Sequence, residues 1–144
     1  MDGFRIEHGG NLLVSPAYPL FLHGYAELLE HGFAEPGIPW SKDTQVTYVS
    51  AYQEDTQTVL GCLAWNYNKV QTRAWVLLSY VRADCRGKNM YKEMNAVAED
   101  RMRLLGATEV QALVHADNTT MLKASIATGK TVVYHRTRKT LDPL

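Results

Sequence analysis

Two cations around a glycine, Arg86, Gly87 and Lys88, stand directly ahead of a stretch with helical spacing, residues 89–105. A helix start carries unpaired backbone N–H groups and the positive end of the helix dipole, which together favour anions and phosphates above all. Gly87 permits the tight curvature such a loop needs, and the guanidinium and ammonium add charge. The group reads as a pyrophosphate cradle; the plainer reading is a solvated basic turn. His115 lies at the C-terminal end of the apolar stretch 108–116. Imidazole is the side chain whose ordinary titration lies nearest neutrality, so His115 is the candidate general base, with a structural hydrogen bond at a strand end as the alternative. Cys85 beside Arg86 has no clear histidine partner for nucleophilic work. His8, His23 and His31 lack metal-ligand spacing, so no metal is expected. Glu54 and Asp55 fall in a polar turn and read as solvated.

The elements that must position these residues follow from periodicity. Asn11 to Val14 is a possible first strand, and Ser15-Pro16 reads as the cap and first position of a helix carrying Phe21, Leu22, Tyr25, Leu28 and Leu29. His31-Gly32 closes that helix, and the loop 31–43 holds Phe33 and Trp40. Three strands over 44–53, 58–68 and 72–81, joined by short polar turns, predict an antiparallel meander. Met94, Val97, Ala98, Met102 and Leu105 mark a helix that stops at Gly106. A strand over 108–116, a helix from the Asp117-Asn118 cap to about Thr128, and a last strand in 130–141 complete the order. The strand–helix–strand unit from 72 to 116 needs a crossover, so its two strands can lie parallel. The expectation is an α/β fold: one mixed central sheet, an antiparallel meander followed by β-α-β-α-β, helices on its faces, and a single domain over 1–144.

Composition narrows the partners. Lys plus Arg and Asp plus Glu are each 15, a formal net charge of zero, which argues against a large nucleic-acid footprint. The one basic run, His135, Arg136, Arg138 and Lys139, reads as a solvated strand face. Two cysteines, Cys62 and Cys85, are too few for a disulfide scaffold, and no apolar run is long enough for a membrane span. With no secretory signal in view, a reduced cytoplasmic setting is the expectation. No P-loop pattern is present.

The spacing V-x-x-x-x-R-G-K-x-x-x from Val81 to Tyr91 resembles the cofactor motif of the GNAT superfamily of acetyl-CoA-dependent N-acetyltransferases. Asn118, Met121, Ser125 and Gly129 fall on that family's N-x-x-A-x-x-x-Y-x-x-x-G spacing. The resemblance covers residues 58–134 and implies acetyl-CoA as cosubstrate and an amine, on a protein or a small molecule, as acceptor. It implies that the backbones of Ser79 and Val81, with Tyr80 between them, pair with the pantetheine arm. The loop Arg86, Gly87, Lys88, Asn89, Met90 and Tyr91 would wrap the pyrophosphate, and Asn118 would lie near the arm. The two parallel strands would splay apart near Val81 and His115, with residues 16–43 as the acceptor wall.

Three positions depart from the pattern. Asn89 and Tyr91 replace residues that are small in the family; Asn tolerates unusual backbone angles, whereas Tyr91 either crowds the pyrophosphate or packs inward on the stripe of Met94 and Ala98. Ser125 stands where many members have a tyrosine that protonates the leaving thiolate, a task for Tyr80, Tyr134 or water here. The early end of the chain leaves room for a partner copy to complete the sheet, hence a homodimer. The altered loop and the missing tyrosine motivate a second expectation: a catalytically inactive GNAT-like protein that binds and modulates a partner, as regulators of viral or mobile-element origin do.

Overall fold

The computed structural model describes residues 3–34, 46–133, 137 and 139–143. Among these residues ten elements follow in chain order. They are β1 (Phe4–Gly9), a 3-10 turn (Leu12–Val14), α1 (Tyr18–Glu30), β2 (Thr47–Gln53), β3 (Val59–Asn68), β4 (Arg73–Val81), a second 3-10 turn (Ala83–Cys85), α2 (Met90–Leu105), β5 (Glu109–Ala112) and α3 (Thr119–Ala127). One sheet runs in the order β1-β2-β3-β4-β5. The first four strands are antiparallel neighbours, and β5 joins β4 in parallel. This is the expected mixed α/β sheet.

Helices cover both faces because the strands alternate. Val49, Leu63, Trp65 and Ala74 meet the α2 stripe of Met90, Met94, Ala98 and Met102. On the other face Cys62, Ala64, Leu78 and Tyr80 meet Ala17 and Phe21. Residues four apart share a helix face, so the methionine stripe is what docks α2.

The first strand is not at 11–14. Asn11 accepts a hydrogen bond from Leu13 N, and this local turn makes Leu12–Val14 a 3-10 turn. The strand is Phe4–Gly9, where only Phe4 and Ile6 carry the apolar alternation. The helix cap also moves: Ser15 Oγ accepts from Ala17 N, Ala17 caps α1, and Pro19 sits in its first turn. β5 is shorter than the expected 108–116. Residues 130–133 of the expected last strand are not in a strand; 134–136 and 138, including Tyr134 and most of the basic run, lie outside the described residues, as does Trp40.

A β-bulge decides the geometry of the site. Ala64 pairs with Leu78 but Trp65 with Val76, so Leu77 is the extra residue on β4. A bulge bends its strand and shifts which side chains face each way. Ala74 and Val76 accordingly face α2, while Leu78 and Tyr80 face α1. The parallel ladder with β5 also stops there, at Val76↔Ala112.

Candidate acyl-transfer site at the open end of the sheet

Beyond Val76, β4 continues for five residues with no strand partner on the β5 side among the described residues. Arg82 N donates to Leu60 O, so the backbone polar groups of Arg82 and, by alternation, Tyr80 point toward β3. Those of Ser79 and Val81 therefore face the opening. The strands part at Val76, earlier than the expected point near Val81. The Ser79 hydroxyl is buried without a hydrogen-bond partner.

The opening leads to the start of α2. Gly87 has φ +79 with nothing within 4 Å of a Cβ built on it, and Asn89, the α2 cap, has φ +63. Residues in this left-handed region turn successive N–H groups to one side. The N–H groups of Lys88 to Lys92 make no hydrogen bond to another described residue; the first intramolecular donor in α2 is Glu93 N, to Asn89 O. Arg86 to Asn89 are exposed. Tyr91 packs inward against the α2 core, which leaves the loop uncrowded by its ring. Its phenol sits beside Ser125 and Thr128, and burial holds it above its usual range. The Ser125 hydroxyl is buried and has no well-aligned partner. Lys130, just past α3, donates to Asn95 Oδ1 at 3.3 Å, and burial pushes its ammonium down.

On the α1 face, Tyr80 donates to Glu27 Oε2 at 2.7 Å. Arg86 lies 3.5 Å from Glu27 Oε1, and its Nε donates to Val81 O at 2.9 Å. His23 meets the Tyr80 ring edge-on at 5.6 Å. Gly24 leaves room for that ring, since a Cβ there would sit 2.6 Å from Tyr80 Cγ. The Tyr80 hydrogen bond, aided by Arg86, holds the Glu27 carboxyl below its usual range against the opposing effect of burial. Burial, and then Glu27, push the Tyr80 phenol up. Glu27 was not among the residues singled out from the sequence. Its signal was the polar stripe His23, Glu27, His31 at four-residue spacing along one face of α1.

A pH dependence follows. A carboxyl whose folded pKa is depressed contributes stability above its unfolded value and loses it as pH falls through the folded value. The stability difference between the native protein and Glu27→Gln should be constant above about pH 4.5 and shrink below it. Urea midpoints measured from pH 7 to pH 3 check this; a difference that persists unchanged at pH 3 removes Glu27 as a stabilising carboxylate.

His115 lies three residues beyond β5. Its Nδ1 accepts from Asp117 N at 3.0 Å, and its carbonyl accepts from Asn118 N. A neutral ring held this way carries its proton on Nε2, leaving a donor rather than a basic lone pair facing outward. The Phe33 ring lies 5.4 Å away and bridges the end of α1 to this turn. Asn118 caps α3 by accepting from Met121 N. Cys85 is buried, its thiol pushed up by burial and by Asp84, the opposite of an activated nucleophile. Burial pushes Cys62 to about 12. Among the described residues no cluster of His, Cys, Asp or Glu could hold a metal ion, and no helix is long and apolar enough to cross a membrane.

No curated protein has a sequence that matches this chain. Solved structures do match its shape. An aminoglycoside acetyltransferase, meta-AAC0020, from an uncultured soil metagenomic sample superposes with TM-score 0.72 at 13% identity, covering 97% of this chain and 96% of that one. The ribosomal-protein-alanine N-acetyltransferase of Brucella melitensis biovar Abortus 2308 gives 0.70 at 15%, covering 96% and 100%. AAC(6')-Iy, solved with the bisubstrate analogue CoA-S-monomethyl-acetylneamine, gives 0.58 at 14%, covering 96% and 100%. The profile of the acetyltransferase (GNAT) family matches residues 11–124, spanning most of the sheet, both helices that cover it and the N–H-lined loop, and with that match the chain belongs to the acetyltransferase (GNAT) family.

Proposed function

We propose that this protein transfers an acetyl group from acetyl-CoA to an amine on a small molecule or a protein. One observation carries the reading: an opening onto which β4 presents backbone groups of Ser79 and Val81 that no neighbouring described strand pairs runs into a helix start with N–H groups that no described residue pairs. The first suits an extended, amide-bearing arm and the second a diphosphate, and acetyl-CoA has both in that order. The residues fit the ligand. Ser79 and Val81 offer backbone groups to the arm. Gly87, Lys88, Asn89, Met90 and Tyr91 offer N–H groups to the diphosphate, with the Lys88 ammonium beside them. The Asn118 oxygen caps α3, and its amide N–H groups, without a partner among the described residues, can reach the arm.

Acetyl-CoA supplies the acetyl group as an activated thioester. The chain's own residues must then bring a neutral amine to it and manage protons. Glu27 is a carboxylate held beside Tyr80 and linked through Arg86 to the Val81 carbonyl, and its charge can hold the incoming ammonium while water takes the proton. Tyr80 fixes its orientation. His115, with its proton on Nε2, serves as a donor to oxygen or sulfur rather than as the base. Ser125 is buried beside Tyr91 and needs water or Tyr80 to take its place as a proton source.

The test is thermal unfolding with acetyl-CoA, CoA or ATP. A ligand at about a hundredfold excess over its Kd adds roughly 2.7 kcal/mol, a shift of several degrees for a domain of this size. Shifts with acetyl-CoA and CoA, but not ATP, support the reading, and mass-spectrometric detection of acetylated products from an amine panel completes it. No shift defeats it and favours the inactive, partner-binding form of the fold.

A further inference from the structure

Arg86 does not point where a phosphate-binding cation points. Its guanidinium folds back across the end of β4, with Nε on the Val81 carbonyl at 2.9 Å, a terminal amino group 3.5 Å from Glu27, and its central carbon 5.4 Å from the Tyr80 ring centre. The Val81 carbonyl is one of the backbone groups that faces the opening. The arginine side chain is half exposed, and these are its contacts among the described residues. Its hold is therefore that of one good hydrogen bond, one long ion pair at the surface and a ring contact, which an incoming acceptor or donor can exchange.

Resting on the cofactor reading above, we propose that Arg86 couples the two halves of the site. In the free protein it covers both the Val81 carbonyl, which the amide arm of the cofactor needs, and the Glu27 carboxylate, which a cationic amine needs. Docking of the arm displaces the guanidinium from Val81 and, with it, from Glu27. Released, Arg86 is a cation on the loop beside the N–H-lined cradle, free to turn to the diphosphate. Glu27 keeps its hydrogen bond from Tyr80 and gains an open lone pair. Arg86 thus holds the Val81 carbonyl and the Glu27 carboxylate together in the free protein and releases them together when the arm docks.

The experiment compares two probes by calorimetry: CoA, and 3′-phosphoadenosine 5′-diphosphate, which keeps the nucleotide and diphosphate but lacks the arm. The ratio of their dissociation constants isolates the arm's contribution. Arg86→Lys keeps the charge but cannot bridge as a planar fork; Arg86→Ala loses both; Glu27→Gln removes the anchoring charge. The proposal expects the arm's contribution to rise roughly tenfold in Arg86→Lys, the scale of one hydrogen bond to a charged group, and by less in Arg86→Ala, which also loses the released cation, and in Glu27→Gln. Affinity for the arm-less probe should hold in both Arg86 variants, because without the arm the native guanidinium stays on the Val81 carbonyl. A ratio unchanged in all three variants overturns the coupling while leaving the cofactor reading intact. Failure of the native protein to bind CoA sinks that reading and the coupling with it.

Discussion

Gly87→Val should cost acetyl-CoA affinity about tenfold or more while leaving the fold intact. The position has φ +79, a conformation that costs a side chain with a Cβ about 1–2 kcal/mol and a β-branched one more. Space is not the obstacle, because nothing lies within 4 Å of where a Cβ would sit. The loop must therefore relax by rotating its peptides, and the N–H groups that face one side together no longer do so. Each charge-assisted hydrogen bond lost is worth about 1.5–3 kcal/mol, hence the tenfold floor. Gly129 is the control: it has φ +97 and equally open surroundings at the end of α3. Gly129→Val should show similar backbone strain in urea unfolding and undiminished CoA binding. Equal affinity of Gly87→Val and the native protein in calorimetry removes the loop from the binding site.

Trp65→Ala should lower stability by about 3–5 kcal/mol, as for other fully buried large side chains. Trp65 is 1% exposed at the centre of the sheet and packs in the cluster held by the α2 methionines. Domains of this size have about 5–15 kcal/mol in total, so the variant should unfold at a much lower urea concentration with the slope unchanged. Trp65→Phe tests the cause. The indole N–H is buried without a partner, so its removal recovers part of what the lost ring volume costs, and the variant should lie far closer to the native protein. A loss below about 1 kcal/mol in Trp65→Ala would mean that the cluster collapses onto the gap and that α2 is not fixed by this side chain.

Much of the architecture was legible because periodicity survives in a single sequence. The α2 stripe, the three meander strands and the Asn118 cap are local patterns, and each fell within a few residues of its observed bounds. Phe4–Gly9 was missed because two apolar residues are too short an alternation to separate from a loop; its pairing with β2 is a long-range fact. The cradle was legible as Arg86-Gly87-Lys88, but the direction of Arg86 was not, because Glu27 lies 59 residues away and arrives only through the packing of α1 on β4. The bulge at Leu77 leaves no mark in composition, yet it turns Tyr80 to the α1 face and ends the ladder with β5. Strict alternation through β4 would have placed Tyr80 on the same face as Ala74.

That bulge has a cost in self-association. By parting β4 from β5 it creates what is in effect a short edge: the outward backbone groups of Ser79 and Val81, which join no ladder among the described residues. Such edges recruit extended chains indiscriminately, and proteins usually blunt them with charge or cover. Here the guanidinium of Arg86 on the Val81 carbonyl is the blunting charge. A ligand lying along this edge would act as a missing strand, so the filled protein presents one fewer sticky edge than the empty one, and solubility at high concentration becomes a property of occupancy as well as of sequence.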